Sequence, residues 1–207
     1  MALKTLVKIS NVTNLSDARY CAGMGVDMLG FSMDADAEQY VEPAKFQEIR
    51  SWVAGVQIVG ETAADDPGAI NRLLELYQPD MLQLEDPALL PYVASFNRPV
   101  ILKADLGLLT LEQLEAIIAT SHTGIDFFLL DGKAGISLDD ELRTELYHLA
   151  TRYPILLGTG ITASNVHDLL AALPVKGIAL QGGDEVRPGN KEFGELMDIL
   201  ETIEVED

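Results

Sequence analysis

Cysteine is almost absent from this chain: Cys21 stands alone among 207 residues. One thiol can neither close an internal disulfide nor build a thiolate metal cluster. Basic residues are scarce as well, with 14 Lys+Arg against 33 Asp+Glu and a formal net charge of −19 at pH 7. So acidic a surface repels phosphate backbones and anionic headgroups, so neither nucleic acid nor a membrane surface is an expected partner. No stretch approaches the ~18 consecutive apolar residues of a membrane-spanning helix. The opening MALKTLVKIS has neither a signal-peptide core nor a cleavage pattern, so a cytoplasmic location is expected. His122, His148 and His167 are scattered, without ligand spacing to one another or to a carboxylate pair, so no metal is expected. Cys21 reads as a small core residue and Trp52, the single tryptophan, as packing at the end of a helix.

What the chain does hold is enough for one sizeable core. Hydrophobic residues are 48% and charged residues 23%, a globular balance that argues against disorder. No linker or composition shift divides it, so residues 1–207 are expected as a single domain. The acidic stretch 201–207 reads as a solvated end.

The dominant pattern is alternation. Short runs rich in Val, Ile, Leu and Phe predict strands at 6–10, 28–33, 56–60, 81–85, 100–104, 127–131, 155–158 and 178–182. Helical patterns fall between them at 16–24, 43–53, 67–77, 87–95, 111–120, 139–152, 164–173 and 191–203. Pro43, Pro67 and Pro87 mark helix starts, Thr110 with Gln113 reads as a capping box, and Gly23 and Gly25 read as the end of the first helix.

Strand–helix alternation implies parallel strands joined by right-handed crossovers. Eight units averaging about 26 residues, without a long insertion, favour an α/β (β/α)8 TIM barrel over an open doubly wound sheet. Polar residues two apart on strands support closure: Lys8 with Ser10, Gln83 with Glu85, Lys103 with Asp105. Period-two positions point the same way, and the lumen suits charges better than the apolar faces of helices.

In such a barrel, chemistry sits at the C-terminal ends of the strands. Gly158-Thr159-Gly160 after strand 7 and Gly182-Gly183 after strand 8 would let backbone N–H groups approach an anion, the usual place for phosphate in barrels. The plainer reading is tight turns. Asp131, ending strand 6, is either a general acid or a turn cap around Gly132. Lys8 and Lys103 are expected to pair with Asp105 or Asp131 in a buried ionic layer; Schiff-base chemistry at Lys103 or Lys133 is the weaker reading.

Several segments together resemble the phosphoribosylanthranilate isomerase family, a tryptophan-pathway (β/α)8 barrel. Lys8-Ile9-Ser10-Asn11-Val12-Thr13-Asn14 is similar to the family's K-I-C-G-x-T-N. Gly25-Val26-Asp27-Met28-Leu29-Gly30-Phe31 is similar to G-A-D-x-L-G-F. Gln83-Leu84, Leu129-Leu130-Asp131, Asn165-Val166 and Gly183 with Glu185, Pro188 and Gly189 follow in order. The resemblance implies a cofactor-free Amadori rearrangement of an N-linked ribose 5-phosphate, and a phosphorylated small molecule as ligand. It implies Asp131 as the general acid that opens the furanose ring.

The family's base is a cysteine, and Ser10 stands there; a serine hydroxyl titrates too high to replace a thiolate. The substrate-binding arginine is Gln39, and Q-L-H-G becomes Gln83-Leu84-Glu85-Asp86. Lys8, Gln39 and Glu85 are therefore the expected substrate-side residues, with Glu61 or Glu85 as the only substitute bases. Activity is expected to be weak; the alternative is a divergent or inactive barrel that binds a phosphorylated metabolite.

Overall fold

A computed structural model describes residues 2–132, 136, 138–182, 185–187, 190–191 and 194–205. Its centre is a closed barrel of parallel strands in sequence order. These are β1 (Leu6–Ser10), β2 (Met28–Ser32), β3 (Gln57–Glu61), β4 (Met81–Leu84), β5 (Val100–Asp105), β6 (Phe127–Asp131), β7 (Ile155–Leu157) and β8 (Gly177–Gln181). The ring closes where β1 pairs with β8 over five registered positions, from Leu6 with Gly177 to Ser10 with Gln181. The eight predicted strands are all present, with ends shifted by a residue or so.

Around the barrel run α1 (Leu15–Gly23), α2 (Pro43–Trp52), α3 (Pro67–Tyr77), α4 (Leu111–Ser121), α5 (Asp140–Arg152), α6 (Val166–Ala172) and α7 (Gly194–Thr202). Local chemistry sets their starts. Asp66 caps α3 by accepting the Ala69 N–H, with Pro67 at the first turn. Thr110 and Gln113 close the predicted capping box of α4.

Three expectations need correction. Residues 87–95 were expected as an α-helix, but Pro87–Phe96 is a 3₁₀ helix. Pro91 sits inside it, and an interior proline removes an N–H and clashes with the α-helical turn before it. The last helix starts at Gly194 rather than 191, because Asn190–Lys191 (β10) pairs antiparallel with Glu185–Arg187 (β9). Helix α1 ends as expected: Gly23 is its last residue, Met24 caps it, and Gly25 follows in the left-handed region (φ 82°), its N–H donating to the Ala22 carbonyl. Trp52 is 64% exposed: α2 turns Phe46 and Ile49 inward, and Val53 takes the packing place at its end.

Two apolar cores result. The larger fills the layer between barrel and helices, with Phe46 edge-on to both Phe31 and Tyr77 at 5.4 and 5.1 Å. Cys21 belongs to it. The smaller plugs the lower lumen with Met28, Val59, Met81, Ile101, Leu129, Leu156 and Ala179.

A repeated device fixes the N-terminal end of the barrel. Asp27, Asp80 and Asp126 each directly precede an even-numbered strand. Their carboxylates accept the N–H of Val7, Ile58 and Val100 in the preceding odd strand, each at 2.8 Å. The same aspartates donate their own N–H to the carbonyls of those residues. Lys176 occupies the fourth equivalent place; it makes only the backbone bond, to Ile155.

Candidate functional site

Above the apolar plug the lumen turns polar, because period two brings β1, β3, β4 and β5 to the axis at Lys8, Glu61, Gln83 and Lys103. Lys8 is fully buried. Its ammonium donates to Glu61 Oε1 across the lumen and to Ser10 Oγ at 2.6 Å. Gly30, between β1 and β3, makes the crossing possible. A Cβ there would overlap the Glu61 carboxylate and stand 2.9 Å from Lys8 Nζ. Glu61 Oε2 lies 3.3 Å from the Asn11 N–H. Asn11 itself is left-handed (φ 58°), a conformation asparagine tolerates better than most residues.

Over this layer opens a cavity of about 180 Å³, lined by Ser10, Ser32, Asp34, Glu61, Gln83, Glu85, Lys103, Asp131 and Gln181 among others. Asp131 has its Oδ1 on the Gly132 N–H at 2.8 Å and its Oδ2 3.9 Å from Lys103 Nζ. Asp131 thus caps the turn around Gly132 and at the same time lines the cavity. Burial pushes its carboxyl above the ordinary range, assisted by Asp105, while the Gly132 N–H and the charges of Lys103 and Lys8 pull the other way. Lys103 lies 3.0 Å from Glu85 Oε1. Burial alone would lower its ammonium, but Glu85, Asp131 and Glu61 outweigh it and the net direction is upward. The ionic layer expected for the lysines therefore exists, with the expected Lys103–Asp131 pair at 3.9 Å and two partners that were not expected. Lys8 takes Glu61 and Lys103 takes Glu85 ahead of Asp131, while Asp105 accepts the Gly107 N–H at 2.7 Å.

The remaining candidates divide. Gln39 sits half-buried in the β2–α2 connection and does not line the cavity, whereas Ala37 does. The N–H groups of Gly158 and Gly182 donate to Leu130 and Ser10 carbonyls at 2.8 and 2.9 Å, so both belong to the barrel ladder. Thr159 is buried beside them, and Gly160 has a positive φ of 71°, with its carbonyl accepting from Asn165 Nδ2 at 2.8 Å. Gly183 and Lys133 lie outside the described residues.

Sequence reasoning missed two features. Asp34 bridges to the next connection, taking the Thr62 hydroxyl at 2.5 Å and the Ala63 N–H at 2.7 Å. Gln83 was read as a lumen residue, but its Oε1 is buried without any hydrogen-bond partner among the described residues. No sequence signal marks such an orphan. Among the described residues no group of His, Cys, Asp and Glu is arranged to hold a metal, and no helix is long and apolar enough to cross a membrane.

Comparison with known proteins agrees with this architecture. The family model for N-(5'-phosphoribosyl)anthranilate isomerase matches residues 7–202. The N-(5'-phosphoribosyl)anthranilate isomerase of Chloroherpeton thalassium is 28% identical over 194 residues, 89% of each chain. The crystal structure of phosphoribosyl anthranilate isomerase from Thermus thermophilus is 27% identical, with a TM-score of 0.76, over 95% of this chain and 97% of that one. A phosphoribosyl anthranilate isomerase in complex with reduced 1-(o-carboxyphenylamino)-1-deoxyribulose 5-phosphate superposes with a TM-score of 0.77. It is 21% identical, over 96% of this chain and 98% of that one. With the family model matching nearly the whole chain, and eight strands closing in the order the sequence predicts, the protein belongs to the N-(5'-phosphoribosyl)anthranilate isomerase family.

Proposed function

We propose that this barrel binds an N-linked ribose 5-phosphate and performs the acid half of an Amadori isomerisation well but its base half poorly. The observation that carries this reading is Asp131: a carboxyl at the end of β6, facing the cavity, held by burial toward its protonated form. A protonated carboxyl there can give its proton to the ring oxygen and open the furanose. The next step removes the proton from C2, and here the site is weak. Ser10 Oγ accepts from the Lys8 ammonium, so its own hydroxyl proton is free to point into the cavity and donate. Ser10 then binds ligand rather than deprotonating it. Glu61 is tied to Lys8 and Glu85 to Lys103, so neither carboxylate is a ready substitute.

The phosphate is assigned to the loops after β7 and β8. With the Gly158 and Gly182 N–H groups committed to the ladder, their part is to leave room beside the backbone. The N–H groups of Thr159, Gly160 and Gly183 are the donors proposed for the anion. No cofactor or metal enters this chemistry.

Two measurements test the proposal. Ribose 5-phosphate is expected to raise the melting temperature through binding to the native state; no shift at millimolar ligand overturns the phosphate assignment. The fluorescence of phosphoribosylanthranilate is expected to decay slowly, and faster with Ser10→Cys combined with Gln39→Arg. Rapid decay with the unmodified protein overturns the account of the base. A second reading, a binding barrel without turnover, is favoured by the Lys8–Ser10 bond; a thermal shift with no detectable decay is its signature.

A further inference from the structure

Lys103 is a cation set between two carboxyls, and they do not share it equally. Its ammonium lies 3.0 Å from Glu85 Oε1 and 3.9 Å from Asp131 Oδ2. The first contact is a hydrogen bond; the second is too long for one. We infer that Glu85 is a positioning residue for Asp131: it holds the Lys103 ammonium off the protonated acid, and Lys103 crosses to Asp131 when that proton leaves for the substrate. This rests on the reading of Asp131 as the acid that opens the ring.

The cluster is arranged for such a transfer. The Gly132 N–H occupies Asp131 Oδ1 at 2.8 Å, which leaves Oδ2 to carry the proton, and Oδ2 is the oxygen that faces Lys103. In ring opening that proton goes to the ring oxygen. The bond from C1 to that oxygen breaks with its electron pair going to the oxygen, and the nitrogen lone pair closes C1=N. An anion is then left on Asp131, a largely buried side chain, and burial disfavours it unless a cation approaches. Lys103 needs to move only about 1 Å to make a charge-assisted bond. Glu85 is half-exposed, so water takes over its charge at little cost. Lys8, the other lumen cation, is committed to Glu61 and Ser10. Burial works against the Lys103 charge, but Glu85 from β4, Asp131 from β6 and Glu61 from β3 maintain it. Asp105, at the end of β5, opposes an anion on Asp131 and so adds to the need for Lys103. Asp34 also lines the cavity but is turned to Thr62 and Ala63. Glu85 stands where the family's Q-L-H-G has histidine, which brings no anion to the pair.

The test follows the Asp131 carboxyl carbon by NMR in the ligand-free full chain, from about pH 3 to 9, with Asp131→Asn to assign the signal. Glu85→Gln releases Lys103 to Asp131 and is expected to lower the Asp131 midpoint by about 0.5–1 pH unit, the effect of an opposite charge closing in at a partly open site. The pH above which phosphoribosylanthranilate decay declines should fall by the same interval, about three- to tenfold in rate on that limb. Lys103→Met is expected to raise the midpoint by about as much. The deciding comparison is the double variant. In the Lys103→Met background, Glu85→Gln is expected to move the midpoint by less than about 0.2 unit, because the residue it acts through is gone. Lys103→Gln replaces Lys103→Met if the latter does not fold. An Asp131 midpoint that stays put or rises in Glu85→Gln overturns the inference. So does an equal shift in both backgrounds, since Glu85 then acts by its own charge. Titrations as expected with a decay profile that does not follow them overturn the reading of Asp131 as the acid instead.

Discussion

The two ends of the barrel treat charge in opposite ways. At the N-terminal end, Asp27, Asp80 and Asp126 direct their carboxylates at backbone N–H groups of neighbouring strands, over a lumen plugged by apolar side chains. At the C-terminal end, charges face each other across the lumen, Asp131 is held toward its neutral form, and Gln83 is left with an unmade hydrogen bond. The first arrangement satisfies every group it uses and fixes strand register. The second pairs its charges around an open cavity and leaves the Gln83 amide oxygen unsatisfied among the described residues. Stability at the bottom and chemistry at the top is the division this fold permits.

The comparison can be broken most forcefully at Lys8. Lys8→Met leaves Glu61 buried without its partner and is expected to cost about 3–5 kcal/mol in urea unfolding. Lys8→Met with Glu61→Leu should recover most of that; a double variant as unstable as the single one would show that the pair itself, not the orphaned charge, matters. Asp126→Ala at the other end strips the Val100 N–H of its acceptor and should cost about 1–2 kcal/mol. The binding of ribose 5-phosphate should be unchanged, and a matching loss of binding would erase the division between the two ends.

Titration of Asp131 gives the opposite sign. Its folded value lies above the ordinary carboxylate value, so the native state holds that proton more tightly than the unfolded chain. Its contribution is most favourable at low pH and declines as pH rises from the ordinary range through the raised value. Asp131→Asn removes that slope, so the variant should melt above the parent at neutral pH, by about 2–4 °C for each kcal/mol relieved. Melts of both proteins from about pH 4 to 8 check this, and a variant that melts lower throughout contradicts it. Glu85→Gln at the partly exposed rim should change stability by less than about 1 kcal/mol in denaturant. What the Lys103 pair does contribute is present below the ordinary lysine range and is lost as pH rises through the raised value of Lys103.

Much of this was legible in the residues. Runs of Val, Ile, Leu and Phe locate the strands because burial on both faces demands them, and period two places Lys8, Gln83 and Lys103 in the lumen. Their partners were not legible. Whether Lys8 meets Glu61 or Asp131 depends on how the ring staggers when it closes, and on the room that Gly30 leaves between neighbouring strands. The aspartates before β2, β4 and β6 pass as ordinary loop residues until the barrel brings a neighbouring strand's N–H to each. Asn11 stands where the family motif has glycine, and its left-handed backbone gives the reason that position is restricted. Gln39 shows the converse: a motif position can be matched by sequence and still lie off the cavity wall.

The most direct test of the account is turnover of phosphoribosylanthranilate by the unmodified protein and by Asp131→Asn, followed by loss of substrate fluorescence under single-turnover conditions. The account predicts slow decay that falls a further 10²-fold or more, on the order of what a general acid supplies, when the Asp131 carboxyl is replaced by an amide. Decay at the same rate in both proteins would contradict it.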